Sequence, residues 1–551
     1  VAAGGALRRL YSLAAAAALG GGAAALAAQS APAPAEPGEA SAPGASGAVI
    51  GTITIQPQTI FDLSIPEENR RLFRLANRLH RTTRPSVVRD QLLFREGDPY
   101  DARLLAESER RLRELRFLYD ATVEPVVRDE RQIDVGVTTR DVWTLVVWGG
   151  FSRAGGENSL YFELQDTNFL GLGKDLTFER RKTVDRITSL LRYRDPALLG
   201  SRLRLEAWNS EATDGFDRRL SLEKPFESLA ARRGAGLRLS TCDRHAPLYE
   251  QGEVEARFGH RRDAYELWGG RSAGLASGRS LRWLAGLTYE RDRFSPLAGE
   301  TAPARFPAGR TLAYPWVGFE RVADDFREVH DLDQIHRTED LRVGWRVIGR
   351  LGWSSPAWGG DRELAIAAAE VAGGWTPRPA HLLLATGRVA GRWGGAGAQD
   401  LRFGGSLRYD WRNWGRHLLH VALSGDLVEA PDLETQLLLG GDNGLRGYPL
   451  RYRDGDRRLL LIVEQRLFTD RHLLRLAYLG GAVFVDAGRS WFAGRGDGSP
   501  QGWLRDVGVG LRLHSSRSGL GTMLHLDVAV PLDRDGGIES VQWLVRTAET
   551  F

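Results

Sequence analysis

A single arginine stands inside a glycine-rich run, Gly440-Gly441-Asp442-Asn443-Gly444-Leu445-Arg446-Gly447-Tyr448-Pro449. Four glycines in ten residues exclude a regular helix or strand and suit a tight loop with positive backbone angles. Downstream, Leu459 to Phe468 and Leu476 to Gly488 read as strands. In Phe484-Val485-Asp486-Ala487-Gly488, strand alternation puts Phe484 and Asp486 on one face. The chemistry open to a guanidinium near a carboxylate is a forked, charge-assisted hydrogen bond. We therefore expect the loop to fold inward and Arg446 to pair with Asp486. Glu464 shares its face with Arg466 and is available as a second acceptor. Stripping one partner from such a desolvated pair costs about 3–5 kcal/mol. The competing expectation is an exposed loop in which Arg446 pairs with nothing.

Other chemistries have no support. There is no HExxH helix, Cys/His cluster or GxSxG elbow, and Gly173-Lys174 runs into Asp175 rather than completing a phosphate loop. No catalytic, cofactor or metal constellation is expected, and the chain reads as a non-enzyme. His417 and His420 are expected at a membrane interface rather than on a metal. Asp324-Asp325 and Asp331 with Asp333 are expected in a solvated extracellular loop, with a divalent cation as the alternative. A net charge of +4 gives nucleic-acid binding little support. The lone Cys242 excludes an intramolecular disulfide. With 16 Trp and 65 Gly, the composition suits aromatic-girdled strands and tight turns.

The elements that would position the arginine fall into four stretches. Residues 1–28, with Arg8-Arg9 ahead of an Ala-rich apolar run, read as a signal peptide, and 29–48 as a disordered Ala/Pro linker. No segment has 18 consecutive apolar residues, so helical membrane spans are not expected. Residues 49–141 read as a small α/β domain. Strand Val49–Gln56 is followed by a helix over 67–80 carrying Leu72, Leu75, Ala76 and Leu79 at helical spacing. Next come a helix over 87–94 and one capped by Asp101 with a stripe of Leu105, Leu112, Leu115 and Tyr119. Two strands, 121–127 and 132–139, complete it. From about 142 to 551, segments of about ten residues alternate apolar and polar between Gly, Asp, Asn and Pro turns, the pattern of a transmembrane antiparallel β-barrel. Val507, Val509 and Leu511 oppose Asp506 and Arg512; Leu524, Leu526 and Val528 oppose His525 and Asp527. We expect sixteen strands, with 216–326 the hardest stretch to divide. The closing strand carries Val541, Trp543, Val545 and Phe551 on one face.

The strand–helix–helix–strand–strand order, with Asn77-Arg78-Leu79-His80 and the run from Leu92 to Tyr100, resembles a POTRA domain. Asp166-Thr167-Asn168-Phe169-Leu170-Gly171-Leu172-Gly173 and Tyr193-Arg194-Asp195-Pro196 resemble opening strands of the BamA/TamA outer-membrane family, also called bacterial surface antigens. Leu445-Arg446-Gly447-Tyr448 is similar to its loop motif and Phe484-Val485-Asp486-Ala487-Gly488 to its partner strand motif. The resemblance implies an outer-membrane barrel with a periplasmic POTRA domain. It also implies that Arg446 contacts Asp486 inside the barrel, and that unfolded or exported polypeptides are held by strand addition at a POTRA edge. Contact with outer-membrane lipid and lipopolysaccharide is implied, as is a terminal signal, Trp543 and Phe551, read by barrel-assembly machinery. The family's seam between first and last strands is weak. A passive pore for small solutes is the alternative function.

Overall fold

The computed structural model describes residues 47–551 apart from 130, 334, 336–337, 495–501, 517–522, 535–537 and 549–551. The expected signal peptide, most of the linker and Phe551 lie outside the described residues. The small domain contains β1 (Val49–Gln58), α1 (Arg71–Leu79), α2 (Pro85–Gln91), α3 (Ala102–Arg113), β2 (Leu118–Val127) and β3 (Gln132–Asp141). Its sheet order is β1-β3-β2, with β1 parallel and β2 antiparallel to β3. Ile53, Val88, Leu112, Leu118, Val135 and Val137 join in one core beneath the helices. Asp101 starts α3 by accepting the Arg103 N–H at 2.9 Å. Tyr119 lies in β2 and not on the α3 stripe.

Two features of this domain have identifiable physical causes. The leucines of α1 do not form its buried face. Phe73 does, stacked on Phe61 at 4.2 Å, while Leu72, Leu75 and Leu79 are 65%, 51% and 66% exposed. A nine-residue helix with apolar residues on two sides can pack only one of them, and the aromatic side buries more surface. The sheet edges are also not open. On β2 the outward N–H groups of Ala121 and Val123 are taken by Asp120 and Glu109, each at 2.8 Å, and Pro125 has none. On β1 Glu96 takes the Ile53 N–H at 3.1 Å, and Pro57 follows on the same side. Carboxylates and prolines placed so blunt an edge against further strands.

The larger part opens with β4 (Leu145–Ala154), β5 (Glu157–Asp166), β6 (Asp175–Lys182), β7 (Ile187–Asp195), β8 (Arg204–Ala212), β9 (Gly215–Lys224), β10 (Arg233–Glu250), β11 (Glu253–Ala276), β12 (Arg279–Ser295) and β13 (Arg310–Ala323). A separate hairpin, β14 (Phe326–His330) and β15 (Thr338–Arg342), follows. The chain then continues through β16 (Arg346–Ser354), β17 (Leu364–Arg378), β18 (His381–Gly394), β19 (Gly397–Trp411), β20 (His417–Glu429), β21 (Arg457–Leu473), β22 (Ala477–Trp491), β23 (Leu504–Ser515), β24 (Met523–Pro531) and β25 (Gln542–Ala548). Apart from β14 and β15 these strands form one closed antiparallel barrel of twenty strands, not sixteen. The excess lies partly in the stretch 216–326, about three-quarters of which is strand. There β10, β11 and β12 run 18, 24 and 17 residues, well past a ten-residue membrane span.

Alternation sorts the barrel residues as the pleat requires. Asp506, Arg512, His525 and Asp527 are at most 2% exposed and point inward, while Val509, Leu511 and Val528 face outward. The barrel closes by pairing β25 with β4, where among the described residues Val545 stands opposite Arg153. Outside this seam Trp543 stacks on Phe151 at 5.7 Å, and the Arg153 guanidinium lies 4.9 Å from the Trp543 ring centroid.

A buried polar joint ties the small domain to the barrel. Asp141 accepts the Thr83 N–H (2.8 Å) and hydroxyl (2.9 Å) and meets His80 Nε2 at 2.8 Å. Asn168, in the turn after β5, donates to the Thr83 hydroxyl at 2.8 Å. Asp141→Ala would strand these donors, at about 1–3 kcal/mol for each unsatisfied group. The expected outcome is faster proteolytic clipping between the small domain and the barrel, with the barrel's gel mobility unchanged.

Candidate functional site

Residues 430–456, between β20 and β21, form a long finger. Leu439 and Arg453 exchange backbone hydrogen bonds at its base, at 2.8 and 2.9 Å. The tip turns through Leu445 N–H to Gly440 O (3.1 Å) and Tyr448 N–H to Leu445 O (3.2 Å). Glycine is required at two points for different reasons. Gly444 has φ +112°, which side chains rarely tolerate. Gly447 lies so close to β23 that a Cβ would stand 2.6 Å from the Asp506 Cβ. That approach lets the Gly447 N–H donate to Asp506 at 3.0 Å.

The finger delivers Arg446 to the barrel interior, where the residue is 1% exposed. Its Nε and Nη2 bond Asp486 at 2.7 and 2.8 Å, a two-pronged pair. Its Nη1 donates to Glu464 at 2.8 Å and lies 3.6 Å from Asp527. The guanidinium also covers the Phe484 ring, 3.2 Å from its centroid. Burial works against the charge, but the hydrogen bonds and field of Asp486, with those of Glu464 and Asp527, hold the arginine above its ordinary pKa. The network extends further. Arg466 donates to Glu464 at 3.0 Å, and Arg512 bonds Asp527 at 2.5 Å and Glu464 at 3.2 Å. A buried cluster of this kind holds the finger in position against the wall.

The remaining motif residues support the arginine. Leu445 and Tyr448 are fully buried with Leu439, Leu460 and Leu504. The Tyr448 hydroxyl lies 2.8 Å from the Arg505 carbonyl and 3.1 Å from that of Asp533, tying the finger to both ends of the β23–β24 level. Gly488 lies under Leu439 and Leu445. Trp543 is on the outer face at the seam and takes no part. The sequence reading missed Asp506, Arg512 and Asp527 as members of this cluster. Their parity marked them as inward-facing, but no local spacing connects them to residue 446.

The finger spans the mouth away from the small domain. Arg451 pairs with Asp185 at 2.5 Å, Gln436 exchanges hydrogen bonds with the Tyr249 backbone at 2.9 and 2.8 Å, and Arg310 meets Glu434 at 2.7 Å. The other mouth is crossed by the β14–β15 hairpin, and here the acidic stretch departs from expectation. It is not a solvated outer loop. Asp333 forms a two-pronged pair with Arg408 on β19, at 2.8 and 3.0 Å, and approaches Arg466 at 3.7 Å. Leu332 and Ile335 pack on Leu418, Phe468 and Met523 from the far wall. At the stem, Arg113 of α3 holds Asp340 at 2.8 and 2.9 Å, Glu328 at 2.7 Å and Glu109 at 2.8 Å. Glu109 is the residue that occupies the β2 edge, and burial raises its carboxyl above the usual range against the lowering pull of Val123 N–H and Arg113. His420 is not interfacial either: it is buried, with Nδ1 2.7 Å from Asp410. Among the described residues no group of His, Cys, Asp and Glu is placed to hold a metal.

Arg446→Ala leaves three buried carboxylates short of a cation, and the expected loss is about 3–5 kcal/mol. Arg451→Ala removes a partly exposed pair, expected at about 1 kcal/mol or less. Arg446→Lys, which keeps charge but not the fork, is expected between the two. Thermal unfolding followed by the gel mobility of the folded barrel measures all three. Equal shifts for Arg446→Ala and Arg451→Ala would overturn the assignment.

Residues 80–140 match the POTRA family model, described as a surface antigen variable number repeat. No curated protein matches the chain in sequence. CdiB from Escherichia coli is similar in structure, with TM-score 0.50 and 11% identity over 92% of this chain and 77% of that one. CdiB from Acinetobacter baumannii gives 0.45 and 12% over 91% and 73%. BamA from Haemophilus ducreyi lacking POTRA domains 1-3 gives 0.37 and 13% over 91% and 85%. At these identities the likeness is one of fold. A matched POTRA domain thus stands ahead of a closed antiparallel barrel, and the chain is a POTRA-plus-β-barrel protein.

Proposed function

We propose that the protein inserts or translocates polypeptides at the outer membrane, with the POTRA domain in the periplasm receiving clients. The observation that carries this reading is the unbroken polar path from the POTRA domain to the lumen. Arg113 grips the hairpin stem, Asp333 at the hairpin end meets Arg408 and Arg466, and Arg466 shares Glu464 with Arg446. A structure that only had to conduct solutes would have no use for such a link.

The blunted β2 edge gives the path a trigger. A client strand adding to β2 must displace Glu109 from the Val123 N–H. Glu109 is also a ligand of Arg113, so its release loosens the grip on Asp340 and Glu328. The hairpin then has less to hold it across the barrel mouth. The β25–β4 seam, where the first and last strands of the barrel meet, is the place where a strand or chain would leave sideways. The passive-pore alternative is disfavoured by a finger across one mouth and a hairpin across the other.

Depletion of the protein with quantification of the outer-membrane and surface proteome is expected to lower one or more exported proteins; an unchanged proteome would favour the pore. In planar bilayers, Arg113→Ala is expected to raise conductance several-fold over the unaltered protein by freeing the hairpin. A conductance that does not move would sever the link between POTRA contact and mouth closure.

A further inference from the structure

Among the described residues nothing covers the apolar face of α1. Leu72, Leu75 and Leu79 fall within about 60° of the helix circumference at 3.6 residues per turn, and all three are more than half exposed. The adjoining sector carries Arg71, Arg74 and Arg78, and Arg70, Arg81 and Arg84 flank the helix. All six are exposed, and among the described residues none pairs with a carboxylate. Arg74 bonds only the Asn69 carbonyl and side chain, at 3.1 and 2.6 Å. Elsewhere in this chain exposed arginines such as Arg218 and Arg262 have acidic partners. A run of unmatched cations bordering leucines is complementary to an anionic, apolar-backed surface.

The position of the helix identifies that surface. Its buried face packs through Phe73 and Phe61 on Trp143, two residues before β4 begins. From there the outward side chains of β4, Leu145 and Val147, are 46% and 62% exposed. The turn after β5 is bonded to the start of α2 by Arg84 N–H to Gly171 O at 3.1 Å, and it presents Phe169 and Leu170, 41% and 52% exposed. The leucine face therefore continues the lipid-facing belt of the first strands.

We propose that α1 is an interfacial anchor: Leu72, Leu75 and Leu79 bed into the phospholipid leaflet beside the first strand, and the arginines sit on lipid phosphates. Short helices with basic and apolar flanks bind membranes in this way, through buried apolar area and attraction to anionic headgroups. The inference rests on the reading that the barrel spans a membrane, and it assigns the POTRA domain a fixed tilt against the leaflet next to the seam.

The full chain carrying Cys242→Ser and Leu75→Cys, labelled with a small fluorophore and reconstituted in phosphatidylethanolamine–phosphatidylglycerol vesicles containing brominated lipid, tests this. Val509→Cys, on the outer barrel wall, is the reference for membrane insertion, and Val126→Cys, exposed on β2, is the reference for solvent. The label at 75 is expected to be quenched several-fold more than the label at 126, and charge reversal of Arg71, Arg74 and Arg78 to Glu is expected to reduce that quenching several-fold. Quenching at 509 with none at 75 would overturn the anchor. No quenching at 509 would instead overturn the membrane reading. A label at 75 shielded from aqueous iodide yet untouched by brominated lipid would assign the leucine face to a protein partner and defeat the proposal.

Discussion

A guanidinium taken out of water must be surrounded by acceptors or it unfolds what surrounds it. Arg446 imposes that condition on the C-terminal third of this barrel. Its acceptors come from three strands, Glu464 on β21, Asp486 on β22 and Asp527 on β24, with Asp506 of β23 taking the neighbouring N–H. Those carboxylates would be as unstable as the arginine if left alone, so the finger and the wall are each folded at the expense of the other's absence. The glycines follow from the same condition. A residue larger than glycine at 447 would hold the finger off β23 and leave the guanidinium short of its partners.

The second organising feature is that directional polar contacts join the parts, beside the apolar packing of the hairpin end on the far wall. The POTRA domain has its own core, and the finger base has another. Between them run Asn168 with Thr83, Arg113 with Asp340, and Asp333 with Arg408. Such joints are directional and can be exchanged for others of similar strength, whereas an apolar interface of the same extent would resist separation. The arrangement suits a molecule whose parts must hold defined positions at rest and release them on contact with another chain.

Much of this was legible in the sequence, and the parts that were not have identifiable causes. The loop and strand motifs were conspicuous because a glycine cluster and a Phe-x-Asp-x-Gly run are rare patterns with narrow geometric meaning. Residues such as Asp527 carried a parity signal only; their link to residue 446 depends on strand order, which single-strand periodicity does not encode. The strand count failed where β10 to β12 run 18, 24 and 17 residues, far past the segments of about ten that the alternation suggested. The acidic stretch at 324–333 looked solvated because its cations, Arg408 and Arg466, are distant in sequence. On α1 the periodicity located the helix, but the face that packs was decided by Phe73 meeting Phe61.

Because one cation touches side chains at matching heights on three strands, it also works as a ratchet pawl against sliding. Moving β22 by one pleat repeat relative to β21 would put Phe484 or Gly488 where Asp486 stands, and neither can take a proton from the fork. The correct stagger, and with it the girth and tilt of the closed cylinder, is thus held by charge. The checking groups all follow the finger in the chain, only 18 and 40 residues on for the first two. The closing end can therefore verify its own alignment without reference to the fifteen strands that precede it.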